Sequence, residues 1–301
     1  MFAVNIFEDK EALQKLKLAG EITAKARNYG VKLVKEGMLA AELADKIERK
    51  IFDLGAKPAF QACISVNDVA AHYAPLLNDP LVLHEKDYVK LDIGAHIDGY
   101  IADTAVTVRL AGKDDIIKCS EKMLETAIKM FRPGTAVEEA SAAMEEVADG
   151  FGLKSIGNLT GHSIEQYSLH AGINVPAVKM SAPKVLSEGE VFAIEPFATN
   201  GKGWVKDSPP PTIFRWIADV PQRDEVARKI LQTAKSDWSR LPFAKRWVQQ
   251  KFGLNIENAL RQLTASGALY HYNILKEQSG GMVAQAEHTL IVADKPIITT
   301  L

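Results

Sequence analysis

Four carboxylates stand in apolar, β-branched surroundings where a charge is hard to keep. They are Asp92 in VKLDIG, Asp103 in GYIADTAVTV, Glu195 in EVFAIEPF and Glu287 in VAQAEHTLIV. An unpaired carboxylate buried in such a run costs several kcal/mol, so each of these acids needs a cation. Asp92 and Asp103 stand eleven positions apart. Between them, 94–99 reads as a hairpin turn that would bring Asp103 back to face the same point as Asp92. Two carboxylates converging in this way share either a proton or a metal. No arginine or lysine is read as embedded in the same runs to neutralise them, so divalent metal is the simplest compensation. Nitrogen comes from GHSIEQYSLH, with His162 after Gly161 at a loop edge and His170 eight positions on. One nitrogen and four carboxylates suit a pair of divalent ions such as Co, Mn, Fe or Zn. Ions about 3.5–4 Å apart can activate a water and polarise a peptide carbonyl, and the chemistry implied is hydrolysis.

These residues must be positioned by helices and strands that the pattern also shows. Residues 8–36 place Leu13, Leu16, Leu18, Ile22 and Ala26 at helical spacing, and a second helix over 40–54 stops at Gly55. Strands are expected over 87–93, 97–109, 190–199 and 288–292. Gly37, Glu42, Glu48 and Gly55 recur 97 positions later as Gly134, Glu139, Glu145 and Gly152. Each set lies in an amphipathic helical pattern followed by a β-rich stretch, which suggests two related halves. The fold class expected is α+β, with helices covering a curved antiparallel sheet of pseudo-twofold halves. From 206 to 270 the texture changes to three prolines and then to helical segments rich in Lys, Arg, Trp and Gln, read as a helical insertion. Lys245, Arg246 and Lys251 lie close together there, but acidic and apolar residues between them favour a solvated helical face over a DNA-reading one.

Composition excludes several classes. With 36 basic and 38 acidic residues the formal charge is -2, so no global field draws the chain to nucleic acid or to an anionic membrane. The opening residues meet Glu8 and Asp9 without the basic start and long apolar run of a signal peptide, and a cytoplasmic location is expected. No apolar run approaches a membrane span. Two cysteines, Cys63 and Cys119, make no disulfide framework, and Cys63 reads as a packing residue rather than a nucleophile.

Five segments carry a resemblance: PAFQACISVNDVAAHYAP, LDIGAHIDGYIADTAVTV, GHSIEQYSLHAG, EVFAIEPFATNGKG and AQAEHTLIV. In order and spacing the chain resembles the type II methionine aminopeptidases of the pita-bread fold over essentially its whole length. It looks like an archaeal member, lacking the long charged N-terminal extension of eukaryotic ones. The resemblance implies that Asp92 chelates a first ion, that Asp103 and Glu287 bridge two ions, and that His162 and Glu195 complete the second site. It further implies that Glu195 accepts a proton from the attacking water, that His72 contacts substrate near the scissile amide, and that His170 bonds the reacting carbonyl. Phe60, Leu169 and Tyr272 would form an apolar methionine pocket, and 206–270 would be the winged-helix-like insertion of the type II enzymes.

The substrates implied are N-termini of nascent polypeptides with a small second residue. The ribosome is a further candidate partner, and a monomer is expected. His84, His96 and His271 match no functional position, while His288 is read as supporting Glu287. Two departures, Glu165 and Ala286, put pocket shape and rate in question. A prolidase or Xaa-Pro aminopeptidase relative is the alternative enzyme, and a metal-free binding protein of the same fold is the alternative of another class.

Overall fold

A computed structural model describes residues 5–301. The reading of the opening residues falls partly on 1–4 and so lies outside the described residues. Asp9 caps the first helix, α1 (Lys10–Leu33), by accepting from the N–H groups of Glu11 and Ala12. Then come α2 (Ala40–Asp53), β1 (Lys57–Pro58), β2 (Cys63–Val66), β3 (Val69–Ala71), and the hairpin of β4 (Val89–Ile97) and β5 (Tyr100–Val108). The second half runs through α3 (Asp115–Met130), α4 (Val137–Gly150), β6 (Lys154–Ser155), β7 (Thr160–Ser163), β8 (Asn174–Pro176), β9 (Val191–Ile194) and β10 (Phe197–Thr199). A long β11 (Val205–Trp216) leads to α5 (Glu225–Thr233), β12 (Phe243–Ala244), α6 (Lys245–Phe252) and α7 (Glu257–Ala265). The chain returns through β13 (Leu269–Glu277), β14 (Val283–Gln285), β15 (His288–Ile291) and β16 (Ile297–Ile298).

The 97-residue repeat is a property of the backbone. Gly37 and Gly134 precede the paired helices with φ of 81° and 88°, and Gly55 and Gly152 close them with φ of 88° and 68°. All four are left-handed positions that favour glycine. Leu39 bridges Val82 before α2 as Ala136 bridges Val185 before α4, and β1 and β6 begin 97 residues apart. One apolar core lies between α1, α2 and strands β2 and β4, and a second between α3, α4 and β9, β10 and β15. The repeated glutamates have diverged. Glu48 is buried and accepts from the Ala62 N–H, whereas Glu145 is half-buried and accepts from that of Lys179.

Three differences from the expected elements have physical causes. The hairpin turn is only Asp98-Gly99, both at positive φ, because Ile97 already pairs with Tyr100. Gly94 is therefore inside a strand, where a Cβ would lie 2.1 Å from the Phe60 ring. The expected strand 190–199 is two, since Pro196 has no N–H for the ladder, and Glu195 stands at the break rather than in mid-strand. Finally, the helices of the 206–270 stretch are confined between Glu225 and Ala265 and framed by β11 and β13, which pair with each other, while β13 also pairs with β3.

Only Lys251 of the basic cluster lies on a solvated face; Lys245 and Arg246 are buried. Arg246 is 1% exposed and docks α6 onto α2, with Nη2 bonding Glu48 Oε1 at 2.7 Å, Nη1 bonding Glu48 Oε2 at 3.2 Å and Nε bonding the Pro75 carbonyl at 3.1 Å. Trp247 Nε1 donates to the same carboxylate at 2.7 Å. Lys245 is also buried and pairs with Glu257. Arg246→Met leaves Glu48 buried without its cation, which costs about 3–5 kcal/mol. Urea unfolding should show a loss of that size, with most of it recovered in the Arg246→Met, Glu48→Gln double variant.

Candidate metal centre and catalytic cavity

Strand pairing brings the acids together. On β4 and β5 Asp92 is the register partner of Ala105. On its other edge Ala105 exchanges backbone hydrogen bonds with Glu287, at 3.0 and 3.4 Å. Asp92, Ala105 and Glu287 thus stand in one row across three strands, and Asp103, two residues from Ala105, emerges on the same face. Threonines lock this seam. Thr289 Oγ1 accepts from the Asp103 N–H at 2.7 Å and donates to its carbonyl at 2.8 Å, and the hydroxyls of Thr104 and Thr107 donate to the carbonyls of Glu287 and Gln285. From the adjoining sheet β7 delivers His162 opposite Ala193 of β9. Gly161 permits that pairing, because a Cβ there would meet the Ala193 carbonyl oxygen at 2.5 Å.

All ten residues singled out in the sequence line one cavity: Phe60, His72, Asp92, Asp103, His162, Leu169, His170, Glu195, Tyr272 and Glu287. Asp103, His162 and Glu287 are buried, and their ligand atoms lie within 4.8 Å of one another. His162 Nε2 lies 3.4 Å from Glu195 Oε1 and 3.7 Å from Asp103 Oδ2. Phe60 and Leu169 are buried apolar walls.

The electrostatics are those of an uncompensated acidic cluster. Burial pushes Asp92 up to about 7. Asp103 is driven well above the usual carboxylate range by burial and then by Asp92, Glu195 by burial and then by Asp103, and Glu287 by burial, Asp103 and Glu195. Burial holds His162 down at about 4, so it is a neutral imidazole rather than a counter-ion to the acids. One lysine does lie in these runs, contrary to the sequence reading. Lys90 is completely buried, but its ammonium donates to the carbonyls of Asn67, Tyr88 and Val283, not to the acids. Asp103 Oδ1 and His162 Nδ1 have no hydrogen-bond partner. Four converging carboxylates, one neutral imidazole facing them through Nε2 and the unpartnered Asp103 Oδ1 fit divalent cations.

Two further histidines flank the cluster. His72 is held at φ 63°, and its Nδ1–H donates to the Asn273 carbonyl at 3.2 Å. That bond fixes the tautomer, leaves Nε2 as an acceptor, and burial keeps the ring neutral. The His170 ring lies 4.4 Å from that of His162 and 6.3 Å from that of Tyr272. Desolvation within the cavity, then the proximity of His162 and His72, keep it neutral as well.

Sequence reasoning missed the glutamines. Gln61 lines the cavity, and Gln285 Nε2 reaches Glu287 Oε2 at 3.4 Å. The signal was available for Gln285, which shares a strand face with Glu287 two residues on. Cys63, the register partner of Asp92, lines the cavity too, but burial and Asp92 push its thiol up, so it is no nucleophile. His288 turns to the other face of its strand, towards Thr300 Oγ1 at 2.8 Å and Arg27. Glu165 and Ala286 lie outside the cavity, in an exposed turn and in the α3–α4 core.

His96 is also outside, accepting from the Gly99 N–H at 3.0 Å through Nδ1. Burial, then Lys57, lower it to about 4 against an ordinary 6.5. The unfolded chain therefore binds the extra proton between these values, and stability falls as pH drops from 6.5 towards 4. Urea midpoints of the metal-free protein should show this acid slope, reduced by about one proton in His96→Gln.

Residues 14–292 match Metallopeptidase family M24. The chain is 47% identical to the methionine aminopeptidase of Pyrococcus horikoshii over 291 residues, covering 96% of this chain and 99% of that one. Among solved structures, a thermophilic Arx1 superposes with a TM-score of 0.83 at 16% identity, covering 95% of this chain and 89% of that one. The methionine aminopeptidase of Thermotoga maritima superposes with a TM-score of 0.71 at 22% identity, covering 97% of both chains. These likenesses agree with the curved antiparallel sheet and its helical cover, the pita-bread fold. No helix among the described residues is long and apolar enough to cross a membrane. With its sequence matched from one end of the catalytic fold to the other, the chain belongs to metallopeptidase family M24.

Proposed function

We propose that this chain is a cytoplasmic aminopeptidase that removes the N-terminal methionine of nascent polypeptides, preferring a small second residue. The observation that carries the reading is the convergence of four uncompensated carboxylates and His162 beside two neutral histidines in an apolar-walled cavity. Asp92, Asp103, His162, Glu195 and Glu287 would hold two divalent cations, of Co, Mn, Fe or Zn. When bound, the ions supply Lewis acidity towards the scissile carbonyl and make a water acidic enough to lose a proton near neutral pH.

The chain's own groups supply the rest. Glu195, 3.4 Å from His162 at the break between β9 and β10, accepts the water's proton and returns it to the departing amine. His72 offers Nε2 as an acceptor for the scissile amide N–H, because Nδ1 is committed to Asn273. His170 donates to the carbonyl oxygen as negative charge develops there. Phe60, Leu169 and Tyr272 receive the unbranched thioether, and their packing excludes water from the reacting bond. The reading is tested by offering metal-loaded protein Met-Gly-Met beside an Xaa-Pro peptide. Free methionine from the first alone supports it. Cleavage of the Xaa-Pro bond makes the chain a prolidase relative, and cleavage of neither, with metal bound, makes it a binding protein.

A further inference from the structure

The cavity wall continues outward along β11 and β13. Ile213 and Tyr272 are register partners and both line the cavity, and two residues further along the partners are Arg215 and Tyr270. Alternation puts the second pair on the same face as the first. Exposure rises in this direction, from 2% at Ile213 to 51% at Tyr270, so Arg215 stands at the cavity mouth. Its guanidinium lies over the Tyr270 ring, 5.9 Å from the centroid. The neighbouring cations Lys235, Lys245, Arg246 and Lys251 each pair with an acid. Arg215 pairs with none among the described residues, and its Nε is shut off from solvent without a hydrogen-bond partner. The guanidinium bonds only the uncharged Tyr272 hydroxyl, and a partly desolvated guanidinium without a counter-ion is a planar donor that favours a carboxylate.

We infer that Arg215 is a specificity determinant that receives an acidic side chain of the substrate downstream of the methionine. The inference rests on the reading of the cavity as a methionine aminopeptidase site. A two-residue strand step is about 7 Å, and an extended substrate leaving the cavity advances by about 3.4 Å per residue, so the cation meets the third or fourth residue of the peptide. Nothing else on this wall offers a full positive charge. Tyr270 and Tyr272 contribute hydroxyls and ring faces, and His170 is neutral.

The test compares kcat/KM for C-terminally amidated Met-Gly-Asp-Ala and Met-Gly-Ala-Asp with their Asn counterparts, using metal-loaded wild type, Arg215→Met and Arg215→Glu. Amidation removes the terminal carboxylate, and Asn keeps the size without the charge. Wild type should prefer Asp over Asn at one of the two positions by about three- to fivefold at low salt, the range of a partly solvated ion pair, with the preference shrinking as salt is added. The ratio should fall to about one in Arg215→Met and invert in Arg215→Glu. The wild-type salt dependence alone keeps the question decidable if the variants do not fold. An Asp preference unchanged in Arg215→Met, or absent from wild type that cleaves the Asn peptides, overturns the inference alone. Failure of wild type to cleave the Asn peptides overturns the functional reading and the inference with it.

Discussion

Asp103→Ala and Glu287→Ala are each expected to abolish high-affinity binding of both ions, because the family resemblance implies that each carboxylate is shared between the two sites. Both side chains are buried, and an oxygen of each lies within 4.8 Å of a His162 ring nitrogen. Gln285, which hydrogen-bonds Glu287, offers only an uncharged amide. Removing one shared acid also leaves Asp92, Glu195 and the remaining partner facing one another, so a single ion would sit in a poorer field. Losing the ions removes several kcal/mol of transition-state stabilisation, and each 1.36 kcal/mol is tenfold in rate, so turnover should fall by about 10³ or more. Calorimetric titration with Mn or Co is the direct check. Two intact sites in either variant would contradict the ligand assignment.

His170→Ala should behave oppositely, keeping both ions and losing turnover by about 10², the usual size of one lost transition-state hydrogen bond. The His170 ring packs edge-on against that of His162, with centroids 4.4 Å apart, and a ring edge is not a ligand bond. The loss should appear mainly in kcat, since the bond is made to an oxygen whose charge develops during reaction. His170→Gln, which keeps a donor of similar reach, should recover part of the rate. Unchanged turnover in His170→Ala removes the residue from the mechanism.

The acids of the cavity were legible because an acid in an apolar run is a physical anomaly whatever the fold. Asp92, Asp103, Glu195 and Glu287 could therefore be singled out one by one, and the hairpin expected between Asp92 and Asp103 gave the convergence of those two. The 97-residue repeat was legible because glycines at positive φ leave a signature that survives divergence of the side chains between them. Other features needed tertiary structure. Lys90 lies two residues from Asp92 on the same strand, yet its Nζ donates to the nearby Tyr88 carbonyl and to those of Asn67 and Val283, from separate segments that no local pattern could connect. Arg246 looks like part of a basic helical face until Glu48, 198 residues earlier, is placed beneath it. Pro209, Pro210 and Pro211 hid a strand, because proline removes ladder donors and the pairing of β11 resumes only across a register shift at Ile213. Arg215 was passed over for a related reason: only the pairing with β13 shows that its face is the face of Ile213 and Tyr272.

The central claim is that the five converging side chains hold the ions that drive methionine release. It is tested most directly by titrating Mn into metal-stripped protein while following free methionine from Met-Gly-Met. No release without metal, and activity rising to a plateau as ions fill the site, is the predicted result. Full activity in rigorously stripped protein would contradict the account.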